Sequence, residues 1–160
     1  LKGFDSFAQL ENVKVSLADA YIKNYMSGVG QKRMKTGKAS LRDMWLNIQK
    51  AGDFNPVHNH GCGTITGLSC FVWLEFPEQV LKSSRDPNRS NFQGMTYLHW
   101  GVTKPYFSEC FESPKQVGLL PTPGVIVMFP NWLEHVVYPF KGPGSRISIA
   151  SNIDIFLDSR

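Results

Sequence analysis

From Leu41 to Ile155 the apolar residues recur at every second position in short runs, and Pro or Gly closes most of those runs. Such a period places alternate side chains on opposite faces of an extended chain, so this stretch reads as strands. Met44, Leu46 and Ile48 alternate with Trp45, Asn47 and Gln49. Further candidates follow at Val57–His60, Thr66–Phe76, Met95–Trp100, Tyr106–Phe111, Val125–Phe129, His135–Tyr138 and Arg146–Ile155. Eight short strands separated by turn residues predict a double-sheet jelly roll. Ahead of them, Phe7–Met26 is the convincing helix, with Val13, Leu17, Tyr21 and Tyr25 as its apolar stripe and Glu11, Lys14 and Lys23 elsewhere. We therefore expect a mainly β fold with an N-terminal helix packed outside. It would be a single domain over residues 1–160, with a helical part at 1–38 and a β core at 41–155. The polar Glu78–Gln93 stretch reads as a long loop, whether lid, binding loop or plain surface.

Composition closes off other classes. With 42% hydrophobic, 12% aromatic and only 19% charged residues, the chain is far from disorder. A chain of 160 residues buries roughly 68–70% of its unfolded surface and needs no staple to fold. The net charge of +4 traces to Lys32, Arg33, Lys35, Lys38 and Arg42. No aromatic residue interleaves with that run as a base-stacking platform requires, so it reads as a solvated loop and argues against nucleic-acid binding. Cys62, Cys70 and Cys110 are sparse and odd in number, which points to a reducing compartment. The longest uncharged stretch, Phe54–Leu74, holds two His, two Asn and a Pro, which makes a poor membrane span. Without a leader-like segment, the expectation is a cytoplasmic protein that does not meet the membrane.

Two of the four histidines are His58 and His60. On a strand, positions two apart share a face, so both imidazoles project together while Asn59 points away. Such a pair suits iron, zinc, copper or nickel, and it is also compatible with ordinary surface histidines. Spacing at both ends of the β region favours a metal. Gly52 and the pair give G-x5-H-x-H, and Gly124, Pro130 and His135 give G-x5-P-x4-H. Both resemble the two motifs of the cupin superfamily, whose barrels bring them together around one metal. The cupin Glu ligand is missing between Gly61 and Ser69, and Trp132 stands where cupins have Gly.

Arg146 lies eleven positions beyond His135, across the Pro139–Gly144 turn, on what should be the neighbouring antiparallel strand. It shares a face with Ser148, Ala150 and Asn152, while Ile147, Ile149, Ile153 and Ile155 mostly fill the other. An arginine on a barrel's inner face calls for an anion, and guanidinium plus hydroxyl can grip a carboxylate. The alternative is a surface arginine on an edge strand.

Trp45-Leu46-Asn47-Ile48-Gln49, Gly52 through His60, Leu68-Ser69 through Trp73-Leu74, Phe129-Pro130 through His135, and Arg146-Ile147-Ser148 through Asn152 occur in that order. Together they resemble the 2-oxoglutarate/iron(II) oxygenase family of marine bacteria and cyanophages, over about Leu41–Ile153. The resemblance implies a double-stranded β-helix, with His58, His60 and His135 holding iron(II) and Arg146 with Ser148 gripping 2-oxoglutarate. Asn47 joins them as a candidate cofactor-binding residue. Most such oxygenases carry a carboxylate where His60 stands, so the implied set is three neutral imidazoles, which also suits zinc or nickel. The expected activity is a dioxygenase that hydroxylates a C–H bond of a peptide, prolyl included, or of a small molecule. Dioxygen is consumed, and 2-oxoglutarate is decarboxylated to succinate. A cupin-type metal enzyme without 2-oxoglutarate and a non-catalytic jelly-roll module are the alternatives. A homodimer is compatible with free sheet edges, and a phage-encoded protein would work in its host's cytoplasm.

Overall fold

The structure is a computed structural model that describes residues 5–28, 37–61, 66–86, 88, 92–100 and 116–157. One helix, α1 (Asp5–Gly28), precedes β1 (Gly37–Gln49), β2 (Asn55–His58) and β3 (Gly67–Glu75). A short helix, α2 (Glu78–Arg85), leads to β4 (Thr96–His99), β5 (Gln116–Leu119), β6 (Ile126–Pro130), β7 (Glu134–Val137) and β8 (Arg146–Leu157). The strands form two four-stranded sheets, β1-β8-β3-β6 and β2-β7-β4-β5, and every pairing is antiparallel. This is the jelly roll that the period-two pattern predicts.

The register explains how one chain fills both faces of the first sheet. Trp45, Ala150, Phe71 and Val127 lie across it in one row, and Asn47, Ser148 and Trp73 in the next. These rows turn inward, where Phe71, Trp73 and Phe129 meet Leu98 and Leu133 of the second-sheet side. The alternate positions turn outward. There Leu68, Cys70, Ile153 and Ile155 pack against Ala18 and Ile22 of α1.

Four expectations are corrected. The buried face of α1 is not the Val13–Leu17–Tyr25 stripe, since those three side chains are exposed. The helix instead turns Lys14, Ala18 and Ile22 inward, and Lys14 is 0% exposed. Its ammonium reaches the Ile149 carbonyl at 3.2 Å and the Ser151 hydroxyl, so polar acceptors on the sheet decide what the apolar stripe could not. Glu78–Gln93 is not one loop: it opens with α2, which buries Val80 beside Phe76 and Phe140. Pro77 ahead of it, Glu78 in its first turn and Lys82 and Arg85 in its last suit the helix dipole, and Glu78 pairs with Lys82 at 2.7 Å. Arg42 is not in a solvated loop but inside β1. β8, finally, does not pair with β7: the Pro139–Gly144 turn carries the chain into the opposite sheet. The strand expected at Tyr106–Phe111, most of the basic run, Cys62 and Cys110 lie outside the described residues, and β5 was not anticipated.

A close approach fixes one glycine. Gly118 of β5 faces Tyr97 of β4, and a Cβ built there would lie 2.7 Å from the Tyr97 ring. No helix among the described residues is long and apolar enough to cross a membrane.

Candidate metal and anion site

β2 and β7 pair with His58 opposite His135, so two imidazoles from strands distant in sequence share the inner face of the second sheet. Their ring centroids are 4.1 Å apart. His60 lies two residues beyond the end of β2, where the ladder has stopped. Asn131, in the turn between β6 and β7, takes over: its side-chain amide donates to the His60 carbonyl at 2.9 Å. The His60 N–H in turn donates to the Asn131 carbonyl at 2.9 Å. The His60 ring stands 5.2 Å from that of His58 and 5.1 Å from that of His135, with Trp45 stacked at 5.9 Å. One nitrogen from each of the three rings lies within 4.8 Å of the others, an arrangement able to hold one metal ion.

The tautomers favour ligation. His58 Nδ1 lies 2.6 Å from the Pro56 carbonyl and His135 Nδ1 lies 3.3 Å from the Leu133 carbonyl. A carbonyl only accepts, so the proton belongs on Nδ1 and Nε2 keeps its lone pair for a metal. Burial, with His58 nearby, pushes His135 down to about 4 and lowers His60 as well, so these rings are neutral at ordinary pH. No carboxylate belongs to the group among the described residues. Glu134 is exposed on the opposite face, and Asp53 accepts from the Lys50 N–H at 2.7 Å to close a turn.

Arg146 opens β8 on the inner face of the first sheet and is 4% exposed. Its guanidinium donates to Gln49 Oε1 and, across the sandwich, to Thr96 Oγ1 at 2.9 Å. Phe76 lies beneath it, 5.5 Å from ring centroid to guanidinium carbon. Nε is buried with no partner among the described residues. Burial lowers this arginine to about 10 without displacing its charge at neutral pH. A buried cation with only neutral partners and a spare donor is chemically suited to receive an anion.

One cavity of about 350 Å³ joins the histidines to the arginine, lined also by Asn47 and Ser148, which are partners in the β1–β8 register. The six residues expected from sequence therefore line one space. Gln49 and Thr96, which orient the guanidinium, were not expected as site residues. No sequence signal marks Thr96, since it comes from the other sheet. His99 pairs in register with Glu134, on the face turned from the cavity. Trp45 lines the cavity and Trp73 lies in the core, but Trp132 is 64% exposed.

Three histidines able to hold a metal and a buried cation line one jelly-roll cavity, a combination that suits an anionic ligand. The sequence agrees: residues 43–152, about two thirds of the chain, match the family described as "Putative 2OG-Fe(II) oxygenase". The chain belongs to this family. The matched span contains all three histidines, Asn47, Arg146 and Ser148, and leaves α1 outside. No curated protein matches the chain significantly. Membership implies iron(II) and 2-oxoglutarate, with dioxygen as the second cosubstrate. The residues present fit both groups, in the donor set of the imidazoles and in the spare donor of Arg146.

Proposed function

We propose that the protein is an iron(II)- and 2-oxoglutarate-dependent dioxygenase that hydroxylates a C–H bond of a peptide or small-molecule substrate. The observation that carries this reading is the pairing of a three-imidazole cluster with a buried, unneutralised Arg146 around one cavity.

His58, His60 and His135 would hold the metal through three nitrogens, leaving positions for a bidentate 2-oxo acid and for dioxygen. Because no carboxylate joins the three imidazoles, the site would keep the full charge of a bound metal until an anion enters, which would favour a dianionic cosubstrate. Arg146 would take the distal carboxylate, using Nε and the face not given to Gln49 and Thr96, with Ser148 adding a hydroxyl donor. Asn47, next to Ser148 in the sheet, would orient the cosubstrate's other oxygens. Trp45, Phe71 and Phe129 give the cavity an apolar wall beside the reacting centre. Iron(II) and 2-oxoglutarate, when bound, would supply the oxidising power, with 2-oxoglutarate decarboxylated to succinate and carbon dioxide. The rest of the chain supplies ligation and orientation.

The test is an anaerobic titration of the iron(II)-loaded protein with 2-oxoglutarate, followed calorimetrically. Saturable binding that requires iron(II) supports the reading. Iron binding without 2-oxoglutarate binding would favour a cupin-type enzyme, and neither would favour a non-catalytic module.

A further inference from the structure

His60 is the member of the histidine cluster that no strand carries, so its position depends on tethers. Asn131 holds its backbone from one side. The other side is held from β1. Leu41 pairs with Ile153 and Asp43 with Asn152, so residues two apart in β1 oppose consecutive residues of β8. In a regular strand Leu41 and Asp43 would share a face, and Leu41 packs outward in the cluster beneath α1. The extra residue, Arg42, forms a bulge that turns Asp43 to the inner side.

Arg42 reaches the His60 segment directly, and Asp43 braces it. An Arg42 Nη2 donates to the carbonyl of Gly61, the next residue after His60, at 2.9 Å. Arg42 is steadied by Asp43 Oδ2 at 3.0 Å and by Asp154 Oδ1 at 3.7 Å. Asp43 Oδ1 accepts from Asn152 Nδ2 at 2.8 Å. An Asn152 that gives its NH2 to Asp43 presents its carbonyl oxygen elsewhere, and Ser69 Oγ, 3.4 Å away, donates to that same oxygen.

From this geometry we infer that Arg42 and Asp43 are positioning residues of the metal site. Arg42 holds the His60 segment by the Gly61 carbonyl, and Asp43 holds Arg42 and Asn152 in place behind it. The inference rests on the reading of His58, His60 and His135 as metal ligands. A carboxylate would thus act from behind the ligand set, by bracing Arg42 against the segment that carries His60.

The experiment is a Co(II) titration of the purified protein, read by visible absorption, on Asp43→Ala, Arg42→Met and each of them combined with His60→Ala. Thermal melting checks the fold of every variant, and Arg42→Met, which opens no buried cavity, serves where Asp43→Ala does not fold. Asp43→Ala is expected to weaken Co(II) binding roughly 10–100-fold and Arg42→Met roughly 10-fold. Neither should weaken it further once His60 is alanine, when the two remaining imidazoles are titrated at millimolar Co(II). Asp43→Asn, which keeps an oxygen for Asn152, should recover most of the affinity. Equal losses with and without His60, or no loss at all, would overturn the inference while leaving the metal site standing. A wild-type protein that takes up no Co(II), or a His60→Ala variant that binds it unchanged, would overturn the metal-site reading and this inference with it.

Discussion

At the scale of single residues, the decisive fact is a charge without a countercharge. Arg146 is buried among Gln49, Thr96 and Phe76, and no carboxylate among the described residues contacts it. Holding a guanidinium there costs desolvation that only a bound anion repays in full. Arg146→Ala should therefore cost about 2–5 kcal/mol of 2-oxoglutarate binding while leaving metal uptake near normal. Calorimetry and elemental analysis of the same preparation check both halves. His60 offers a second test at this scale. His60→Ala should lose most iron(II), because two imidazoles hold it weakly, whereas His60→Asp should retain it as a two-histidine, one-carboxylate set. Full iron content in the alanine variant would remove His60 from the site.

At the scale of elements, α1 is fastened to the sheet by an unusual contact. Lys14 lies between the helix and β8, with Met44 Sδ at 3.9 Å and Cys70 close by, and burial lowers its ammonium below the usual lysine range. The Cys70 thiol is pushed up to about 11 by burial, so it stays neutral and cannot compensate the charge. A folded-state value below the unfolded one means that the unfolded chain binds more protons in the interval between them. Stability should thus rise with pH as it approaches 10.5 from below, and the contribution is unfavourable throughout the range beneath the lowered value. Lys14→Met keeps the length and apolar stem and should abolish this slope. Urea unfolding at neutral and alkaline pH should show the gap between variant and wild type shifting in favour of the wild type as pH rises. A gap independent of pH would mean that Lys14 is buried without penalty. Tyr97 over Gly118 supplies the packing counterpart: Gly118→Val should lower the melting temperature, since a Cβ there meets the ring at 2.7 Å.

At the scale of the whole molecule, the cavity sits between the two sheets and draws its lining side chains from both. The histidines come from β2, its following segment and β7, whereas Arg146, Ser148 and Asn47 come from β8 and β1. A metal would tie elements of one sheet, and a cosubstrate reaching Arg146 would then tie that sheet to the other. Metal removal by a chelator should lower the melting temperature. Iron(II) and 2-oxoglutarate together, under anaerobic conditions, should raise it more than either alone. At 100 times its dissociation constant, a ligand stabilises by about 2.7 kcal/mol, enough to move the transition by several degrees. Identical melting with and without metal would count against a site at this position.

The sequence by itself determined whatever depends on local period and local reach. Alternation fixes strands and faces, so Trp45, Asn47 and Gln49 were legible on one side of β1, and Arg146 with Ser148 on one side of β8. Spacing to glycine and proline marked His58, His60 and His135. Tertiary structure decided what rests on contacts between segments far apart in the chain. Thr96 meets Arg146 across 50 positions, Asn131 holds His60 across 71 and Lys14 reaches Ser151 across 137. The face that α1 buries also lay beyond the sequence, because a lysine there becomes acceptable only once the sheet offers oxygen acceptors. The bulge at Arg42 was hidden for the same reason. An inserted residue changes no composition and breaks no pattern until a neighbouring strand defines the register against which it is extra.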